Sequence, residues 1–466
     1  MTVRTALAAA LALSVAAAAH ASDWPQFRGP SGQGHAPDAS VPLTWSETEN
    51  VAWKTAVPGR GWSSPVIAGG LVWLTTAVTD RKTGTSLRLL SYDARSGGVV
   101  ADVEVFDIAD TTLLNQKNSF ASPTPVIDPD GGKIYVHFGA QGTAAVATGG
   151  GSAGEVLWRT RFPYTSQHGN GGSPILHDGL LIVSIDGYDT AFLVAVDAET
   201  GEERWRSVRP SPISQAYSTP LAIEVGDARQ IVNVSAFRAS GHEPATGREI
   251  WRVEYPGGFS NVSRPVYGHG LAYLSTGFNE PVLLAVRPTG KGDVTDSEVV
   301  WRLRRGAPLT VSPILVGKEL YTVTDSGIAT CIDALTGEIR WQHRLGGNHS
   351  ASPIHAGGRI YFPSEEGVTT VIEPGDEFRQ LASNELDGST LASIAVSDGA
   401  FFIRTGTHLY RIEDSSRAPS AVGGQSGADD RPRNGPTRPP TVLYTALYAS
   451  DTHPDLPAAS AAPAPR

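Results

Sequence analysis

The chain has 466 residues, a formal net charge of −10, 40% hydrophobic residues and one cysteine. The acidic balance argues against a nucleic-acid surface, which is normally basic, and equally against binding to acidic membranes. A lone Cys331 excludes an internal disulfide, so a large apolar core must hold the fold together.

Residues 1–21 read as a cleaved secretory signal. Arg4 is followed by an apolar run from Ala6 to Ala19, too short to span a bilayer comfortably, and Ala19-His20-Ala21 fits the small-x-small cleavage rule. The expectation is a periplasmic or secreted protein without an integral membrane segment. No Cys stands at the cleavage site, so no lipid anchor is expected. Residues 22–49 form an extended segment opening with Trp24-Pro25-Gln26-Phe27-Arg28-Gly29-Pro30. It is expected to run over the surface, with Trp24 and Phe27 docked in a groove. Gly29, Gly32 and Gly34 lack the strand-then-helix context of a phosphate loop and read as turns. Asn50 to Lys54 resembles the closing strand of a blade that has no blade before it.

From there one pattern repeats, clearest in residues 312–341. Short apolar strands alternate there with turns at Gly317-Lys318, Asp325-Ser326-Gly327 and Asp333-Ala334-Leu335-Thr336-Gly337, and Trp341 lies in the last strand. Four such strands in about 40 residues make one propeller blade. Blade starts fall at Pro65, Pro123, Pro174, Pro220, Pro265, Pro313, Pro353 and Ser393, and closing tryptophans at Trp158, Trp205, Trp251, Trp301 and Trp341. The last blade lacks a closing Trp, and the unattached strand near Trp53 would complete it and remove two free sheet edges. The expectation is an all-β, eight-bladed propeller of four-stranded antiparallel blades over residues 50–412. Residues 413–466, rich in Pro, Ala, Gly and Ser, are expected to be disordered.

Asp197, Thr200, Gly201 and Trp205 form the pattern A-x-D-x-x-T-G-x-x-x-W, repeated by Asp333, Thr336, Gly337 and Trp341. This resembles the tryptophan-docking repeat of the pyrroloquinoline-quinone (PQQ) propeller superfamily. The resemblance implies blades docked by buried Trp rings. It also implies two functional branches: dehydrogenases that oxidise alcohols or sugars with PQQ and Ca²⁺, and non-enzymatic propellers typified by the outer-membrane assembly factor BamB. One cysteine excludes the adjacent-cysteine disulfide and the C-x-x-C-H haem site of the larger dehydrogenases.

Ligands of propellers sit at the axis, where the loops entering each blade converge. Those loops carry Arg60, Trp62, Lys117, Asn118, Phe120, His168, Asn170, Gln215, Tyr217, Asn261, Arg264, Thr310, Asn348 and His349. Trp62, Phe120 and Tyr217 offer stacking rings, and Arg60, Lys117 and Arg264 offer cations. No residue just before a blade start is Asp or Glu, so a Ca²⁺ site and a catalytic base are both missing from the expected place. His168 and His349 read as separate pore-lining groups, not as metal ligands. Asp186-Gly187-Tyr188-Asp189 and Asp128-Pro129-Asp130-Gly131 read as hairpin turns, not as calcium loops. The reading is a monomeric, non-enzymatic binding or scaffold propeller with no cofactor, taking a protein partner or a small polar ligand at its axis. A compact PQQ-dependent dehydrogenase, using PQQ with Ca²⁺, and a BamB-like assembly factor are the alternatives.

Overall fold

The computed structural model describes residues 23–109, 114, 117–128, 130–210 and 214–417. The expected signal peptide, nearly all of the expected tail, Pro129 and part of the loop before blade two lie outside the described residues.

Blade six shows how the sequence makes the unit. Ile314–Val316, Glu319–Val323, Ile328–Asp333 and Ile339–Arg344 pair antiparallel in that order. Gly317 and Gly327 make the first two turns with φ of 60° and 79°. A Cβ on Gly327 would lie 2.5 Å from the Gly346 carbonyl oxygen, so the second turn needs glycine for space as well as for φ. The second and third strands are buried along most of their length, whereas the outermost strand alternates half-buried and exposed residues before ending exposed. Inner strands are covered by neighbouring blades on both faces, while the rim faces water.

Seven such sheets span 66–108, 126–160, 175–208, 221–254, 266–303, 314–344 and 354–385. The eighth takes Ala395–Ser397, Ala400–Arg404 and His408–Glu413 from one end of the repeat region and Val51–Ala56 from the other. Trp53 pairs with Arg411 and Thr55 with Leu409, antiparallel, so the N-terminal strand closes the ring as expected. Apolar clusters fill each gap between blades. One of them joins blades seven, eight and one and takes in Trp24, Val41 and Trp45. The register differs in blade two. Its first strand begins at Val126, so Thr124-Pro125 is the counterpart of Ser64-Pro65, not Ser122-Pro123. Two Pro residues two apart made either start readable.

The docking motif does what its chemistry predicts. Asp197 accepts the Glu199 and Thr200 amides at 2.9 Å, and Asp333 accepts those of Leu335 and Thr336. The Thr200 and Thr336 hydroxyls each accept the amide two residues on. The closed turn receives the Trp of the preceding blade. Trp158 lies on Gly201, Trp205 on Gly247 and Trp301 on Gly337, where a Cβ would stand 2.3 to 2.8 Å from the ring. The indole N–H groups donate to the Ala198, Pro244 and Ala334 carbonyls. Trp53 docks the same way on Gly97 and Ala94, carrying the pattern across the closure. Trp341 bonds Gly375 O and packs edge-on against Phe378, in a blade that lacks Thr-Gly. Trp251 is fully buried but docks through Gln230, which accepts its indole N–H and donates to Pro288 O in blade five.

Candidate functional site

The N-terminal segment is not a surface strap. It crosses one end of the axial channel. Trp24 exchanges backbone hydrogen bonds with Ile67 in blade one, and Pro25 O accepts the Ile127 amide in blade two. Gln33 accepts the Tyr267 amide in blade five, and His35–Ala36 pairs in parallel with Ile354–Ala356 in blade seven. Trp24 and Arg28 are 2% and 1% exposed. Gly29, Gly32 and Gly34 have φ of 77°, 68° and 87°; side chains there would strike Trp24, Arg264 and Arg28 respectively.

Two arginines hold this plug. Arg28 Nη2 donates to Pro313 O at 2.7 Å. Arg264 donates through Nη1 to Phe27 O at 2.5 Å and through Nε to Pro220 O at 3.1 Å. Neither guanidinium has a carboxylate partner among the described residues. Burial, with mutual repulsion in the case of Arg28, lowers both to about 9, so both remain cationic at neutral pH.

Above the plug, the residues opening the blades form a hydrogen-bonded ring. The amides of Ser64, Thr124 and Ser173 donate to the hydroxyls of Thr124, Ser173 and Thr219. Those of Arg264, Ser312, Ser352 and Ser393 donate to Ser312, Ser352, Ser393 and Ser64. The one missing link falls where blade five has Arg264 in place of a hydroxyl residue.

The plug, the ring and the entry loops enclose a cavity of about 590 Å³. Phe27 belongs to its floor. Trp62, Lys117, Asn118, His168, Tyr217 and Thr310 line it, as placed from the sequence. Lys117 pairs with Glu365 of blade seven at 2.7 Å. Asn118 accepts the Ser122 hydroxyl and donates to the His168 carbonyl.

The other expected site residues do not reach this lining. Arg264 is spent on the plug. Arg60 is exposed and bridges Ala77 through its backbone. Phe120 packs against the core between blades one and two. Asn170 bonds Gly172 O, and Asn261, fully buried, donates to Ser235 O and Tyr255 Oη. Gln215 accepts from Ser166, Gln167 and Tyr217. Asn348 binds Glu366, and both ring nitrogens of His349 face carbonyl oxygens, of Pro363 and Gly346. These polar side chains brace loop backbone; with only loop membership to go on, such bracing groups look like lining groups.

Residues missed in the sequence complete the walls. Phe259 and Phe278 come from a separate two-stranded antiparallel sheet, Gly258–Phe259 with Phe278–Asn279, and pack edge-on with centroids 5.5 Å apart. Asp325 comes from the second hairpin of blade six, not from an entry loop. It accepts from the Leu309 and Thr310 amides and the Thr310 hydroxyl. Desolvation pushes its carboxyl above the usual range, against the pull of those bonds and of Lys117. Glu365 holds Ser350 in the matching place of blade seven. Among the described residues no group of three His, Cys, Asp or Glu side chains is placed to hold a metal ion.

A family model described as outer membrane protein assembly factor BamB matches residues 88–294 and 290–390. The chain belongs to this family of PQQ-like propellers. No curated protein matches the sequence. The fold is similar to BamB from Moraxella catarrhalis, with a TM-score of 0.55 at 12% identity over 78% of this chain and 99% of that one. It is also similar to the quinohemoprotein alcohol dehydrogenase ADHIIG from Pseudomonas putida HK5, with a TM-score of 0.59 at 11% identity over 87% of this chain and 82% of that one. At such identities the likeness is one of fold, and BamB and a dehydrogenase share it. Membership of the family therefore leaves the choice between binding and catalysis to the site.

Proposed function

We propose that this chain is an exported, non-enzymatic PQQ-like propeller that binds a small ligand in its axial cup. The observation that carries the reading is how the charged groups of the cup are committed. Among the described residues Asp325 is the one carboxylate in the cavity lining, and both its oxygens already accept hydrogen bonds. A metal-dependent quinone site needs carboxylate or amide oxygens converging on an ion, and a base beside the substrate. PQQ also needs cations for three carboxylates. Arg264 lies beneath Phe27, and Lys117, the one Lys or Arg among the described lining residues, is engaged with Glu365. The described lining residues do not fit PQQ with Ca²⁺. Export is supported by the signal-like residues 1–21, and no described helix is long and apolar enough to cross a membrane.

The test is dye reduction by the purified protein with added PQQ and Ca²⁺ and a panel of alcohols and aldoses. No turnover above a protein-free control is expected. Turnover abolished by Trp62→Ala would overturn the reading. A second reading, a scaffold in outer-membrane protein assembly, is favoured by the family match over residues 88–390. Recovery of assembly-machinery components from envelope extracts on the immobilised chain would support it.

A further inference from the structure

The seven ring hydroxyls have an unspent capacity. Each oxygen accepts one backbone N–H, yet none of the seven O–H protons has an acceptor among the described residues. Their residues are at most 4% exposed, and all seven line the cavity. A buried hydroxyl is left donating, and what satisfies it is a group rich in acceptor lone pairs.

Beneath that ring lie the two guanidinium groups. Arg28 donates to Pro313 O and Arg264 to Pro220 O, each carbonyl belonging to the residue next to a ring hydroxyl, Ser312 or Thr219. Arg28 Nε and Nη1 are buried without a partner. The carboxylate in the lining, Asp325, comes from the second hairpin of blade six, and its side chain is tied to Leu309 and Thr310 of an entry loop rather than to the plug or the ring. Donors and positive charge therefore collect at the bottom of the cup, while Trp62, Tyr217 and Phe259 offer apolar surface on its walls. Opposite charge gains most where water is displaced.

We propose that the floor of the cup is a seat for the acid group of a small aromatic or apolar acid, held by the ring hydroxyls above Arg28 and Arg264. The apolar body lies along Trp62, Tyr217 and Phe259. One acid group is accommodated, not the three of PQQ. The inference rests on the binding function proposed above and names its ligand class.

The test is calorimetric titration of the full chain with phenylacetate, its uncharged analogue phenylacetamide, and inorganic phosphate. Phenylacetate is expected to bind at least about tenfold more tightly than the amide, the size of one or two charge-assisted hydrogen bonds. Arg264→Gln, which removes the charge and keeps an amide donor at this position, is expected to remove most of that preference, read as the ratio of acid to amide affinity within the same variant. Thr219→Val is expected to weaken the acid and Thr219→Ser to retain it; a purely structural role would not separate acid from amide. Displacement of phenylacetate by phosphate supports the seat and shows that it reads charge. Equal binding of acid and amide, a preference that survives both Arg264→Gln and Thr219→Val, or no binding of either anion overturns the seat. Those outcomes leave a non-enzymatic binding function standing, whereas PQQ-dependent turnover removes that function whatever the probes do.

Discussion

Blades five and six are neighbours built on the same plan, and they differ where function enters. Blade six has every repeat element: the Ser312 hydroxyl in the ring, Asp333-Ala334-Leu335-Thr336-Gly337 as last turn, and a closing Trp341. Blade five keeps the closing Trp301 but replaces the ring hydroxyl with Arg264. Its third turn becomes a longer loop whose Gly292–Asp293 pairs with blade four, and Phe278 joins the cavity. Repeat positions carry the docking of blades. Departures from the repeat carry the plug and the cup.

If docking is what the blades share, Trp301→Ala and Trp341→Ala should cost alike, about 3–5 kcal/mol each, the range for a large aromatic in a packed site. Chemical denaturation would measure it, and a loss below about 1 kcal/mol at both would break the comparison. Where the blades differ, the losses should diverge. Arg264→Ala leaves Phe27 O and Pro220 O without their donor, for about 2–3 kcal/mol, and should expose the N-terminal segment to limited proteolysis. Ser312→Ala removes one bond between blades, for about 1 kcal/mol, and should leave that segment protected. Equal proteolytic release in both would mean that Arg264 has no special hold on the plug.

Acid sharpens the same contrast. The Thr336 amide and Arg340 hold Asp333 below its ordinary range, and Arg204 with the turn amides does so for Asp197. Both groups bind fewer protons folded than unfolded. Their contribution is present above about pH 4 and lost as pH falls through the lowered folded values. His35 in the plug is pushed down to about 4 by burial, by Arg28 and by His355 at 3.4 Å. Its depressed value means that stability is full above about pH 6.5 and declines toward about pH 4. The plug should therefore loosen at a higher pH than the blade turns. Proteolysis of the N-terminal segment between pH 7 and 4 would show it, and His35→Gln should flatten that window.

The blades were legible because their signals are local. The Asp333 contacts span two and three residues, and the orphan strand at Trp53 had an obvious vacancy in the last blade. The plug was not legible. Arg28 finds its acceptor 285 residues away, on a proline carbonyl that leaves no mark in the sequence. Arg264 sat in an entry loop among polar residues, and nothing in its neighbours showed that it turns down toward Phe27. Asp325 was not legible because it reaches the cavity from a hairpin inside blade six, outside the entry loops. The Phe259–Phe278 strand pair was not legible because its two-residue strands are too short for any period to show and lie on either side of two blade-five strands.

The central claim is that one N-terminal segment closes the molecule twice, as the axial plug and as the outer strand of blade eight. Hydrogen–deuterium exchange read by mass spectrometry on peptides covering 24–36 and 51–56 tests it most directly. The account predicts slow exchange in both, comparable with the blade-eight strands at 400–413, and loss of protection in 24–36 but not in 51–56 when Arg264 is changed to Ala. Rapid exchange throughout 24–36 and 51–56 in the unmodified protein would contradict it.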